Sequence, residues 1–80
     1  MKEVGLNTLS PGEKGIVRSF STSARGVRQR LLEMGLTKGT VVEVVRLAPL
    51  GDPMEIAVRG YRLSLRQKEA EAVLVTKGSQ

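Results

Sequence analysis

Cysteine and histidine are both missing from this 80-residue chain. Their absence excludes a disulfide framework, thiolate metal sites, Cys–His nucleophiles, Ser-His-Asp triads and zinc sites of the usual kind. Aromatic residues are nearly absent too: Phe20 and Tyr61 stand alone, and there is no Trp. Acids number eight, and Asp52 is the sole Asp. A metal would have to make do with carboxylates, carbonyls and water, a weak set for a transition metal. No apolar run approaches the roughly 20 residues of a membrane-spanning helix. The first seven residues carry no apolar signal region, so the expected location is the cytoplasm, with no direct membrane insertion.

What is present is a modest core and an excess of positive charge. Hydrophobic residues make up 40 % of the chain, and Val and Ile supply 12 of them, which favours strands. Length and composition fit a single domain over 1–76, with a frayed tail at 77–80. Lys and Arg outnumber Asp and Glu by 13 to 8, a net charge of +5. A basic surface implies an acidic partner.

Ser10-Pro11-Gly12-Glu13 is a turn signal, and 15–20 reads as a strand. The hydroxyls of Ser21, Thr22 and Ser23 precede a helical pattern and offer an N-cap. Val27, Leu31 and Met34 share one face of a helix expected over 24–34. Gly35 is placed to end it in the left-handed conformation, with Leu36 as the apolar contact of a Schellman cap. Val41 to Leu47 is the densest β-branched stretch. Its Val41-Val42 and Val44-Val45 pairs break alternation, which predicts burial on both faces. Two Pro and one Gly in 48–53 exclude regular structure there. Residues 54–65 alternate as a hairpin turning near Gly60, 67–72 reads as a helical turn, and 73–75 as a closing strand. Five short strands and one helix in so small a chain favour a mainly β, closed barrel, because closure removes exposed edges.

The charges cluster. Arg25, Arg28 and Arg30 come with no acid between them, as do Arg59, Arg62, Arg66 and Lys68. Two readings stay open: solvated heads whose stems cover apolar surface, or convergence on an acidic partner. RNA binding is disfavoured by the lack of stacking platforms, since Phe20 and Tyr61 both fall in strand patterns and read as core. Asp52, in a Gly-Asp-Pro turn, reads as an Asx-type cap on nearby backbone. Glu69 and Glu71 are two apart and do not share a helix face. Glycines 35, 39, 51 and 60 read as turn or cap devices, and no phosphate-binding loop is present. Leu50, between Pro49 and Gly51, is either tucked onto the barrel or offered to a partner.

The runs LLEMGLTKGT at 31–40, RLAPLGDP at 46–53 and VRGYRLSLR at 58–66, followed by EAEAVLV at 69–75, resemble the FeoA family. That family comprises small cytoplasmic accessory proteins of bacterial ferrous iron uptake. A similar domain lies at the C-terminus of metal-dependent repressors of the diphtheria-toxin-repressor type. The resemblance covers about residues 5–75. It implies an SH3-like barrel with an inserted helix, and a role beside FeoB, the ferrous iron permease with a cytoplasmic GTP-binding domain. It supplies no catalytic motif.

Together these readings give a non-catalytic binding module that docks on FeoB and modulates iron transport. Its partner-binding candidates are Arg25, Arg28, Arg30, Leu50, Asp52, Arg59, Arg62 and Arg66. No cofactor, no metal site and no DNA partner are expected; ferrous iron would bind weakly at most. The alternatives are a basic RNA-binding barrel, a weak transition-metal-binding domain and a self-associating domain.

Overall fold

β1 (Val4–Gly5) leads into a 3-10 turn at Leu6–Thr8, and β2 (Lys14–Phe20) follows the Ser10–Glu13 turn. Next come α1 (Arg28–Glu33), β3 (Val41–Leu47), β4 (Met54–Val58), β5 (Tyr61–Leu65), α2 (Gln67–Glu71) and β6 (Val73–Lys77). The computed structural model describes residues 2–22 and 25–78. The six strands form one antiparallel sheet in the order β1-β6-β2-β3-β4-β5. The fold is mainly β, as the strand patterns predict. The two-residue β1 is too short to leave a periodic signal.

The ladder itself does not close, because β1 and β5 are its two ends and do not pair. The expected closure by hydrogen bonds is corrected to closure by packing. α2 lies against β5, β6 and the Leu6–Thr8 turn, so it covers the seam between the sheet's ends. Leu6, Leu9, Val17, Leu31, Leu36, Val42, Val44, Met54, Ile56, Val58, Leu65, Val73 and Val75 fill the interior.

β4 shows the clean alternation expected, with Met54, Ile56 and Val58 inside. β3 does not bury both faces: Val42 and Val44 are inside, while Val41 is exposed. The Val44-Val45 pair has another cause. The β3–β4 register shifts between Val44 and Arg46, so Val45 is the extra residue of a β-bulge. The β4–β5 hairpin turns through Arg59 and Gly60, both at positive φ (47° and 87°), as a two-residue primed turn requires.

α1 is shorter than the expected 24–34. It starts at Arg28 with Val27 as N-cap, whose side chain makes no capping hydrogen bond. Gly26 and the turn at 25–27 hold the chain out of the helix at this end; Ser23 and Ala24 lie outside the described residues. Its other end follows the prediction closely. Gly35 sits at φ +100°, its N–H donates to the Leu32 carbonyl, and the Leu36 N–H donates to the Leu31 carbonyl (3.0 and 3.1 Å). That is a full Schellman motif, and its apolar pair, Leu31 and Leu36, is buried in the core. The tail is bonded beyond the expected fraying point: β6 runs to Lys77, and the Gly78 N–H donates to the Lys14 carbonyl at 2.8 Å.

Candidate partner-binding site

The eight residues singled out from sequence do not converge on one face. Arg30 turns toward α2, where its Nη1 lies 2.7 Å from Glu69 Oε2. Glu69 is buried, and its other oxygen accepts the Arg66 N–H at 2.9 Å, fixing the first turn of α2. Arg66 contributes backbone there, while its side chain is exposed. Arg62 shares Glu55 with Arg46, at 3.6 and 3.7 Å, on the outer face of the sheet.

Arg59 is a structural clamp. From its left-handed backbone position it donates to the Gly35 carbonyl and to the hydroxyls of Thr37 and Thr40, at 3.3, 3.0 and 2.9 Å. Tyr61 joins it by donating its hydroxyl to the Met34 carbonyl. Tyr61 is therefore a surface residue at the end of α1, not the core residue its strand pattern predicts. Its hydroxyl satisfies one of the carbonyls that a helix C-terminus leaves open.

Asp52 caps backbone, but not nearby backbone. Its Oδ1 accepts the N–H of Gln67, 15 residues on, while the Gln67 amide donates to the Gly51 carbonyl at 2.8 Å. These two bonds tie the 48–53 loop to the start of α2. The loop's tight turn at Pro49–Gly51 then holds Leu50 at φ +71° with its side chain fully in solvent (relative exposure 102 %). Leu50 is therefore not tucked onto the barrel. The Asp52–Pro53 peptide bond is cis.

Arg25 and Arg28 remain, and the structure adds two cationic neighbours that the charge pattern missed, Arg18 and Lys38. β2 carries a bulge between Val17 and Ser19 where it pairs with β6. The extra residue, Arg18, is re-aimed and donates to Thr76 Oγ1 at 3.1 Å. The Thr37–Thr40 turn returns onto β2, with the Gly39 N–H on the Val17 carbonyl and the Val17 N–H on the Thr40 carbonyl. This sets Lys38 beside Arg18. The result is a hollow of about 290 Å³ lined by Val17, Arg18, Ser19, Phe20, Arg28, Leu32 and Lys38. A second hollow of similar volume, lined by Phe20, Ser21, Thr22, Arg25 and Arg28, adjoins it through the shared Phe20 and Arg28. The Arg28 guanidinium lies 5.8 Å from the centroid of the half-buried Phe20 ring, in cation–π range.

Arg28 and Leu32 are four apart and share a helix face, a signal readable from the sequence. Arg30, two residues from Arg28, had to point elsewhere. The bulge at Arg18 left no such mark. Among the described residues, no three acidic side chains come together to hold a metal, and no helix is long and apolar enough to cross a membrane. The site offers a bed of cations over an apolar floor, which is recognition chemistry.

Comparison with known proteins bears on family and fold. The FeoA domain family matches residues 4–77. A curated relative, the Fe(2+) transport protein A/Fe(2+) transporter FeoB fusion protein of Porphyromonas gingivalis, is 37 % identical over 71 residues. Those residues are 88 % of this chain but 8 % of that protein, so the chain spans less than a tenth of the relative's length. An FeoA-like protein from Clostridium acetobutylicum superposes with a TM-score of 0.90 at 35 % identity, covering 100 % of this chain and 92 % of that one. Stenotrophomonas maltophilia FeoA, a procaryotic SH3 domain protein solved in complex with zinc, gives 0.78 at 31 % identity, covering 90 % and 88 %. The fold is SH3-like.

Proposed function

The chain belongs to the FeoA family, and on that premise we propose that it is a non-catalytic accessory module of ferrous iron uptake, which docks in the cytoplasm on the FeoB permease. The observation that carries this reading is the P. gingivalis relative, in which the matching domain is covalently joined to an FeoB transporter. Fusion of two chains in one relative favours physical association of the separate chains in another. The surface agrees with such a role. Leu50 projects from a loop that is bonded in place, and the basic groove between β2 and α1 is open. Recognition residues on loops held by a rigid scaffold are the usual arrangement for binding modules.

The reading needs no catalytic group and no resident metal. The donor set supports this, since His and Cys are lacking and the described carboxylates are scattered. The test is an NMR titration of labelled protein with the FeoB cytoplasmic domain, with a generic RNA as control. Shifts confined to the 48–53 loop and the β2–α1 groove with FeoB alone are expected. Leu50→Asp combined with Arg28→Glu should abolish binding while the fold stays intact. Unchanged affinity in that variant would remove these residues from the docking surface. A salt-sensitive response to RNA without one to FeoB would replace the reading with the RNA-binding alternative.

A further inference from the structure

Among the described residues some cations are paired with acids and others, Lys14, Arg59 and Lys68 outside the groove among them, form no salt bridge. Arg30 is paired with Glu69, Arg46 and Arg62 with Glu55, and Lys77 with Glu13. Arg18, Arg25, Arg28 and Lys38 form no salt bridge among the described residues, and all four line the two adjoining hollows. Among the described residues, no carboxylate lines either one. At the edge, Glu3 accepts the Ser19 hydroxyl at 2.9 Å. Four like charges gathered over an apolar floor of Phe20 and Leu32 repel one another, a cost that an anionic occupant removes.

We propose that the groove between β2 and α1 binds a short acidic segment of the docking partner, with carboxylates flanking one apolar side chain. The inference rests on the docking reading and adds the chemistry of the segment that is read. Arg18 and Lys38 take carboxylates at one end and Arg25 at the other. Arg28 bridges the two hollows from above Phe20. Leu32 and the open part of Phe20 meet the apolar side chain between the charges. Arg fits this task because its planar fork pairs carboxylates bidentately.

A nucleic acid is the other polyanion such a groove could hold, and the aromatic geometry counts against it. Single-strand binding relies on bare aromatic faces for base stacking. Phe20 is half-buried and already has the Arg28 guanidinium over its ring. The other aromatic, Tyr61, is tied through its hydroxyl to Met34 at the far end of α1 and lines neither hollow.

The experiment measures binding of the FeoB cytoplasmic domain to the full chain by calorimetry at about 0.15 M and about 0.5 M salt. It compares wild type with Arg28→Glu/Lys38→Glu and with Arg25→Glu/Lys38→Glu, the second of which keeps the Arg28–Phe20 contact. In parallel, labelled protein is titrated with a capped Glu-Leu-Glu-Leu-Glu peptide and with polyuridylate. Affinity for FeoB should fall about tenfold or more in both double variants and with added salt. The peptide should shift Arg18, Phe20, Arg28, Leu32 and Lys38. Tight FeoB binding that ignores both charge reversals and salt would overturn the acidic-segment inference and leave docking standing. No FeoB binding, with the peptide still shifting the groove in a charge-dependent way, would overturn docking and leave the groove's ligand chemistry standing. Stronger shifts of the same residues with polyuridylate than with the peptide would show a nucleic-acid groove and overturn the inference.

Discussion

Arg30 and Glu69 join the two helices: the guanidinium of one and the buried carboxylate of the other meet at 2.7 Å, while the same carboxylate holds the Arg66 N–H at the start of α2. The two partners are unequally exposed, since 66 % of the Arg30 side chain is in solvent and 9 % of the Glu69 side chain is. Removing Glu69 takes away the acceptor of the part-buried Arg66 N–H and frees the α2 turn that covers the sheet's open seam. Glu69→Ala should cost about 1–3 kcal/mol in urea unfolding. Arg30→Ala, at the solvated end, should cost under about 1 kcal/mol. Equal costs would mean that the ion pair, not the cap, carries the stabilisation. Arg30→Ala should also leave FeoB affinity unchanged, because Arg30 faces away from the basic groove.

Gly35 is fixed by two independent constraints. Its φ of +100° is strained for any residue with a Cβ, and a Cβ there would come 2.8 Å from the Tyr61 hydroxyl. Gly12 has a similar φ of +92° but open space around it. Gly12→Ala should therefore cost about 1 kcal/mol from backbone strain alone. Gly35→Ala should cost clearly more, and Tyr61→Phe in the same chain should recover part of the difference. A double-mutant cycle of unfolding free energies measures that recovery. Additive costs would show that the hydroxyl moves aside freely.

The contrast between these sites marks what a sequence can carry. The Schellman end of α1 was legible because its parts are consecutive: an apolar stripe, then Gly35, then Leu36. The β4–β5 hairpin was legible for the same reason. What stayed hidden depends on partners distant in the chain. Val45 and Arg18 are bulge residues only because β4 and β6 pair in shifted registers beside them. Asp52 looked like a local turn cap and instead caps Gln67, which only the folded chain brings near. The FeoA resemblance made the family and its SH3-like fold legible. The groove was half legible: Arg25 and Arg28 stood out as a basic run, while Lys38 and Arg18 joined it through the Thr37–Thr40 turn and the β2 bulge.

Leu50 combines backbone strain with a side chain that touches nothing, an arrangement that stability alone does not explain. Asn tolerates the left-handed region better than Leu. Leu50→Asn should therefore raise stability by up to about 1 kcal/mol in thermal unfolding, with no packing lost. In a docking role for Leu50, the same variant should weaken FeoB binding. A destabilised Leu50→Asn protein would show that Leu50 packs in solution and would withdraw it from the docking surface.

Glu13 makes the Ser10–Glu13 turn sensitive to acid. Its carboxylate accepts the Ser10 N–H at 2.7 Å and pairs with Lys77 at 3.1 Å, linking the start of β2 to the end of β6. The backbone hydrogen bond first, and Lys77 second, hold its carboxyl below the ordinary glutamate range. A group whose folded value is lowered stabilises the protein above its unfolded pKa. That contribution is lost as pH falls through the lowered value, because the unfolded chain takes up the proton first. Glu13→Gln keeps an acceptor for Ser10 and removes only the charge. The melting-temperature difference between wild type and Glu13→Gln should be constant at neutral pH. It should shrink as the pH drops below the ordinary glutamate pKa and close in stronger acid. Lys77→Met should reduce the difference without abolishing it, since the Ser10 bond is the larger cause. A difference that stays the same across the acid range would mean that the Glu13 charge contributes nothing and that the turn is held by its backbone alone.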